Sequence, residues 1–175
     1  MGRVCKLLLA IVALCWAQAA FAQVTIHFHS FNGSVLFGRY PHTFVVLDGT
    51  LEETGEPIDE NYGFTAKSIS PAILVGPVDS MIFVEKQDQI DRTNEHFSVA
   101  LTDAQYWQIR SEVARWRADP VKSYDLNKRN CLHFVGALAQ IAGLKVAYPP
   151  SLIKKPTHWL NYLARINPQL NAPQI

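Results

Sequence analysis

The sequence predicts an α+β fold, with an antiparallel sheet laid down first along the chain and packed by helices that follow. Three observations carry this expectation. Short alternating or apolar runs separated by turn residues extend to residue 101, helical periodicity extends from 102 to 166, and the capping box Thr102-Asp103-Ala104-Gln105 marks the boundary.

The elements follow in order. In Val24–Phe31 the apolar residues Val24, Ile26 and Phe28 alternate with Thr25, His27 and His29, a strand of period two, and Asn32-Gly33-Ser34 supplies the turn. Residues 42–47 predict a second strand closed by Asp48-Gly49. Residues 51–60 form an acidic loop carrying Gly55 and Pro57, and 61–68 return as a third strand. Pro71 and Gly76-Pro77 interrupt the next apolar run, so 72–75 and 80–86 are expected as separate short strands, with 97–101 the last. Residues 102–119 predict a helix with Tyr106, Ile109, Val113 and Trp116 on one face, ended by Pro120. Asn130 is a strong N-cap for a second helix, whose apolar positions Cys131, Phe134, Val135, Leu138 and Ala142 run to Gly143. Pro149-Pro150 gives an extended passage, and Pro156–Ile166 predicts a last short helix with proline in its first turn.

Residues 1–22 read as a secretory signal. Arg3 and Lys6 precede an apolar run, and Ala20-Phe21-Ala22 offers the small residues of a cleavage site, which leaves 23–175 as one domain. Cys5 and Cys15 would depart with the signal, so an exported protein would keep a single thiol, Cys131, and could form no internal disulfide. The expected location is periplasmic or secreted. No later apolar run approaches the roughly 20 residues that span a bilayer. With 16 basic and 15 acidic side chains the charge is near neutral, which gives no footprint for nucleic acid.

A cysteine at a helix N-terminus has two readings. It is a small buried hydrophobe, or a nucleophile whose thiolate the unpaired N–H groups favour, reacting below the roughly 8.5 of a free thiol. An unpaired thiol in an oxidising compartment favours the nucleophile. A thiolate enzyme needs a base, and among the histidines His133 lies about 200° around the helix from Cys131 and points elsewhere. His96 and His158 read as surface residues. His27 and His29 could bind zinc as an H-x-H pair, but no nearby carboxylate or cysteine completes the set in sequence, so no metal or cofactor is expected. His42 opens a strand, from whose end a side chain can reach a neighbouring helix terminus, and is the expected base.

The run Tyr124-Asp125-Leu126-Asn127-Lys128-Arg129-Asn130-Cys131-Leu132-His133-Phe134-Val135 resembles the cysteine motif of the lecithin:retinol acyltransferase-like proteins, a tyrosine followed at the same spacing by Asn-Cys-Glu-His-Phe-Val. Arg39-Tyr40-Pro41-His42-Thr43-Phe44-Val45-Val46-Leu47-Asp48-Gly49 resembles the upstream strand of that family, where a histidine opens an apolar strand closed by an Asp-Gly turn. The family is a circularly permuted relative of the NlpC-type cell-wall peptidases in the papain-like group. The resemblance implies a papain-like fold, Cys131 as nucleophile and His42 as general base, with Asn130 and the Cys131 N–H at the helix start facing an oxyanion. Three positions depart from the pattern: Leu132 replaces the glutamate, Thr43 replaces a tryptophan, and Thr54 stands where a second histidine is expected. Strand pairing then offers Thr65, Ser68 or Ser70 to orient His42, and Ser68 is selected. Tyr124 either packs in the core or lines the site and binds substrate.

The expected activity is an exported thiol hydrolase that cleaves amide bonds, in cell-envelope peptides, through an acyl thioester on Cys131. The alternatives are a lipid acyltransferase or deacylase of the same fold and a binding shell without catalysis. The loop 51–60 is either solvated or a rim to the site. As a rim, Glu52, Glu53, Glu56, Asp59 and Glu60 would favour amine-bearing substrates over anionic lipid.

Overall fold

The computed structural model describes residues 23–33, 40–68 and 70–175. The segment read as a signal, with Cys5, Cys15 and the expected cleavage point after Ala22, lies outside the described residues, as do Ser34 and Arg39. Strands β1 (Val24–Phe31), β2 (His42–Thr50), β3 (Pro57–Ala66), β4 (Ser80–Phe83) and β5 (Asn94–Leu101) form one antiparallel sheet in the order β4-β3-β2-β1-β5. Among the described residues four α-helices accompany it: α1 (Gln87–Ile90), α2 (Asp103–Arg117), α3 (Cys131–Ile141) and α4 (Pro156–Ile166). The fold is therefore mixed α+β with its strands before its three long helices. None of the described helices is long and apolar enough to cross a membrane.

The sheet register decides which side chains meet the helices. The pairs Phe28↔Val45 and Ser30↔Thr43 lie on one face, and Phe31↔His42, His29↔Phe44 and Phe44↔Gly63 on the other. On the first face Phe64 meets Trp116 of α2 edge-on at 4.6 Å and Phe134 of α3 at 6.1 Å, with Ile26, Phe28, Val45 and Leu47 in the same buried cluster. Each such aromatic side chain taken from water contributes roughly 2–3 kcal/mol. The opposite face carries a smaller aromatic group in which Phe44 lies 5.3 Å from His29 and 6.5 Å from Phe31. Gly63 is needed there: a Cβ would stand 2.1 Å from the Phe83 ring, which lies across the strand.

Several sequence expectations are corrected. Residues 72–75 are not a strand, because Pro71–Leu74 forms a 3-10 turn with proline in its first turn, where the missing N–H costs nothing. Strand β3 begins at Pro57 and ends at Ala66, so Ser68 lies beyond it in an exposed bend. The His96 side chain is not at the surface. It is buried between Ser30 Oγ at 2.8 Å and Asn161 Oδ1 at 3.0 Å, tying β5 to β1 and α4.

Candidate functional site

Helix α3 is anchored through its cap. The Asn130 Oδ1 accepts the N–H of Leu132 (2.9 Å) and of His133 (3.4 Å), while its Nδ2 donates to the carbonyls of Leu126 (2.8 Å) and Ile153 (2.9 Å). The Nδ1 of His133 accepts the Asn130 N–H in return at 3.2 Å, closing a capping box. With its amide engaged on every side, Asn130 holds the helix start and has no donor left over for a substrate oxygen. His133 stacks on Tyr148 at 4.6 Å, away from the Cys131 thiol, as its helical angle requires.

That cap places Cys131, 4 % exposed, at the first helical position beside the start of β2. Its sulfur is in hydrogen-bond reach of the backbone N–H groups of Thr43, Leu132 and Cys131 itself. The sulfur therefore lies against the peptide that follows His42. The thiol opens onto a cavity of about 350 Å³ lined also by His42, Thr65, Tyr124, Asn130 and Phe83. His42 reaches this cavity from the other sheet face, its ring 5.0 Å from Phe83 and 5.9 Å from Phe31, so the cavity wraps the end of β2.

Burial pushes the Cys131 thiol up to about 11, although the three N–H groups pull it down. The expectation of a thiol acidified by its helix terminus is thus reversed. Burial wins because the cavity is walled by apolar side chains, Phe31, Ile73, Leu126, Leu132 and Ile153 among them. Tyr124 is both core and wall: its ring packs 5.6 Å from Phe64 and its hydroxyl is held protonated by burial and by the neighbouring Cys131.

Ser68 is exposed and not on the cavity wall, whereas Thr65 is. The β2–β3 register continued two residues past Phe44↔Gly63 sets Thr65 opposite His42, so knowledge of the hairpin register would have found it. Nothing in the local sequence announces Ile153 or Lys154, which join the lining from a distant loop.

The loop 51–60 does not rim the site. Strand β2 begins at His42, and nine residues at about 3.3 Å each carry the chain to the opposite end of the sheet. There the N–H groups of Glu52 and Glu53 bond the Asp103 carboxylate (3.0 and 2.9 Å), and Glu60 pairs with Arg110.

A second, polar cleft of about 330 Å³ lies along β1, lined by His27, His29, Asp48, Asp91, Thr93 and Glu95. The sequence offered no carboxylate beside the H-x-H pair, yet the neighbouring strands bring two. His27 Nδ1 lies 2.8 Å from Glu95 and its Nε2 lies 3.2 Å from Asp48. Because the two carboxylates take opposite sides of one ring, they do not share a point with it. Among the described residues no group of three or more His, Cys, Asp or Glu side chains converges to hold a metal ion.

No family model matches the chain, and no curated protein or solved structure matches it.

Proposed function

We propose that the chain is an exported papain-like cysteine hydrolase that opens an amide bond through an acyl thioester on Cys131. The observation that carries this reading is the placement of the Cys131 sulfur, at a helix start, among three backbone N–H groups, in a cavity that His42 and Tyr124 also line. The sulfur attacks the carbonyl carbon as its proton passes to His42, directly or through one water. The C–N bond then breaks, and the amine leaves with that proton. Water, deprotonated by His42, cleaves the thioester and restores the thiol. The N–H groups of Thr43 and Cys131 are the donors available to a developing oxyanion, that of Leu132 being taken by the Asn130 Oδ1. In this scheme Thr65, which lines the same cavity, orients His42 in place of Ser68. No metal or cofactor enters these steps.

A second reading is favoured by the apolar cavity wall, which suits the acyl chain of a lipid ester or amide better than a charged peptide. The removal of the acidic loop from the site takes away the main argument for an amine-bearing substrate. Turnover of purified envelope peptides and of acyl lipids, compared between wild type and Cys131→Ser, decides between them. Cys131-dependent release of amine from peptide supports the first reading and Cys131-dependent release of fatty acid supports the second. Absence of both, with no thioester trapped at Cys131 by mass spectrometry, leaves a binding shell.

A further inference from the structure

We infer that the mouth of the Cys131 cavity docks onto a surface of anionic lipid. The stretch from Ser70 to Val78 carries no charged residue, and its 3-10 turn lifts two aliphatic side chains into solvent, Leu74 at 77 % exposure and Val75 at 90 %. Among the described residues the other exposed Leu and Val side chains, Val84 and Val121, stand singly, whereas Leu74 and Val75 are adjacent at the point of one turn, so the tip is built for something outside the chain. Leu74 is also part of the cavity lining, as is Tyr40, itself 44 % exposed. The apolar tip and the apolar cavity are therefore continuous.

Charge selects the occupant. Lys154 lines the same mouth and is exposed, Lys155 follows it, and exposed Lys67 stands at the neck of the tip, where its N–H closes on the Asp79 carbonyl at 2.8 Å. Against these three lysines stand two carboxylates, the half-buried Glu85 of the lining and the exposed Asp79 at the neck, which leaves the mouth one positive charge in excess. Aliphatic knobs at the point, a tyrosine ring behind them and lysines around them reproduce the polarity order of a lipid surface, from hydrocarbon through the interface to the phosphates. A compact tip with two aliphatic knobs has little area for a stable protein interface but suffices to anchor an interfacial domain when cations assist.

The test uses full-length protein throughout, so that the N-terminal segment contributes equally to every sample. Wild type, Leu74→Glu/Val75→Glu and Lys154→Glu/Lys155→Glu are floated with vesicles of phosphatidylglycerol and phosphatidylcholine at low and high salt. Circular dichroism confirms the fold of each. The expected result is at least a tenfold loss of partitioning in the tip variant and a salt-sensitive, smaller loss in the lysine variant. A Leu74→Trp variant reads the tip itself: its added fluorescence should be quenched by brominated acyl chains. Equal partitioning of wild type and tip variant without quenching of the new tryptophan overturns the inference. So does a concentration-dependent dimer that the tip substitutions abolish without any vesicle binding, since that gives the patch to a second copy. Cys131→Ser should bind vesicles as wild type does, so loss of turnover and loss of docking are read separately.

Discussion

Two cavities among the described residues have nearly the same room, about 350 Å³ beside Cys131 and about 330 Å³ beside His27, and treat their ionisable groups in opposite ways. In the first, apolar walls isolate the thiol, and burial raises it to about 11 against the pull of three N–H groups. In the second, burial also opposes the charge on His27, but hydrogen bonds and charge from Glu95 and Asp48 together raise its pKa. Two residues along, His29 lies deeper. Burial, helped by His27 and His96, lowers it to about 4 against the pull of Glu95. The Thr93 hydroxyl donates to the Ile90 carbonyl at 2.7 Å, so it accepts from His29 Nδ1–H at 2.9 Å and fixes a neutral tautomer. Volume alone does not distinguish the two sites: the cleft pairs its histidines with polar partners, whereas the cavity sets a thiol and a tyrosine among apolar walls.

The comparison can be broken most sharply at the thiol. Cys131→Ser should lower turnover by on the order of 10³-fold or more while leaving the melting temperature within a few degrees. An unchanged rate would move the chemistry away from this cavity. Next in size is the cap. Asn130→Ala removes the one oxygen that accepts two N–H groups and leaves two part-buried carbonyls without their donor, and should cost about 2–4 kcal/mol in urea denaturation. Asn130→Asp keeps the acceptors and loses the donors, and should fall between the two.

The histidine cleft gives the next effect. The folded pKa of His29 lies below its unfolded value, so its contribution is complete above pH 6.5 and is lost as the pH falls toward 4, by about 3 kcal/mol. His96, also lowered by burial, acts in the same direction, and His27, raised, acts in the opposite one, its contribution fading as the pH rises through its folded value. Denaturation midpoints between pH 7 and 4.5 should therefore fall steeply in wild type and less steeply in His29→Gln. Parallel curves would show that His29 titrates normally. For the thiol, alkylation by iodoacetamide should quicken about tenfold per pH unit from 7 to 10 without levelling near 8.5, because the thiolate fraction is still rising. The smallest effect separates Thr65 from Ser68. Thr65→Val should lower kcat/KM about fivefold, the worth of about 1 kcal/mol, and Ser68→Ala should leave it unchanged.

Legibility followed the range of the interaction. The strand Val24–Phe31, the capping box at Thr102, the Asn130 cap with Cys131 at the first helical turn and the helix Pro156–Ile166 were all readable, because each is fixed by neighbours within a few residues. The short run at 72–75 was misread, since its apolar residues look strand-like and only the absence of a pairing partner shows otherwise. His96 was misread because its burial depends on Ser30 and Asn161, each more than sixty residues away.

The sequence by itself determined the α+β order, the capped helix and the thiol that begins it, since period, propensity and capping are local properties of the chain. Only the tertiary structure decided which groups surround that thiol. Tertiary packing put Thr65 rather than Ser68 on the cavity wall with His42, strand length carried the acidic loop to the far end of the sheet, and apolar walls from several separated segments reversed the expected acidity of Cys131. Desolvation is a sum over everything packed around a group, and that sum exists only once the chain has folded.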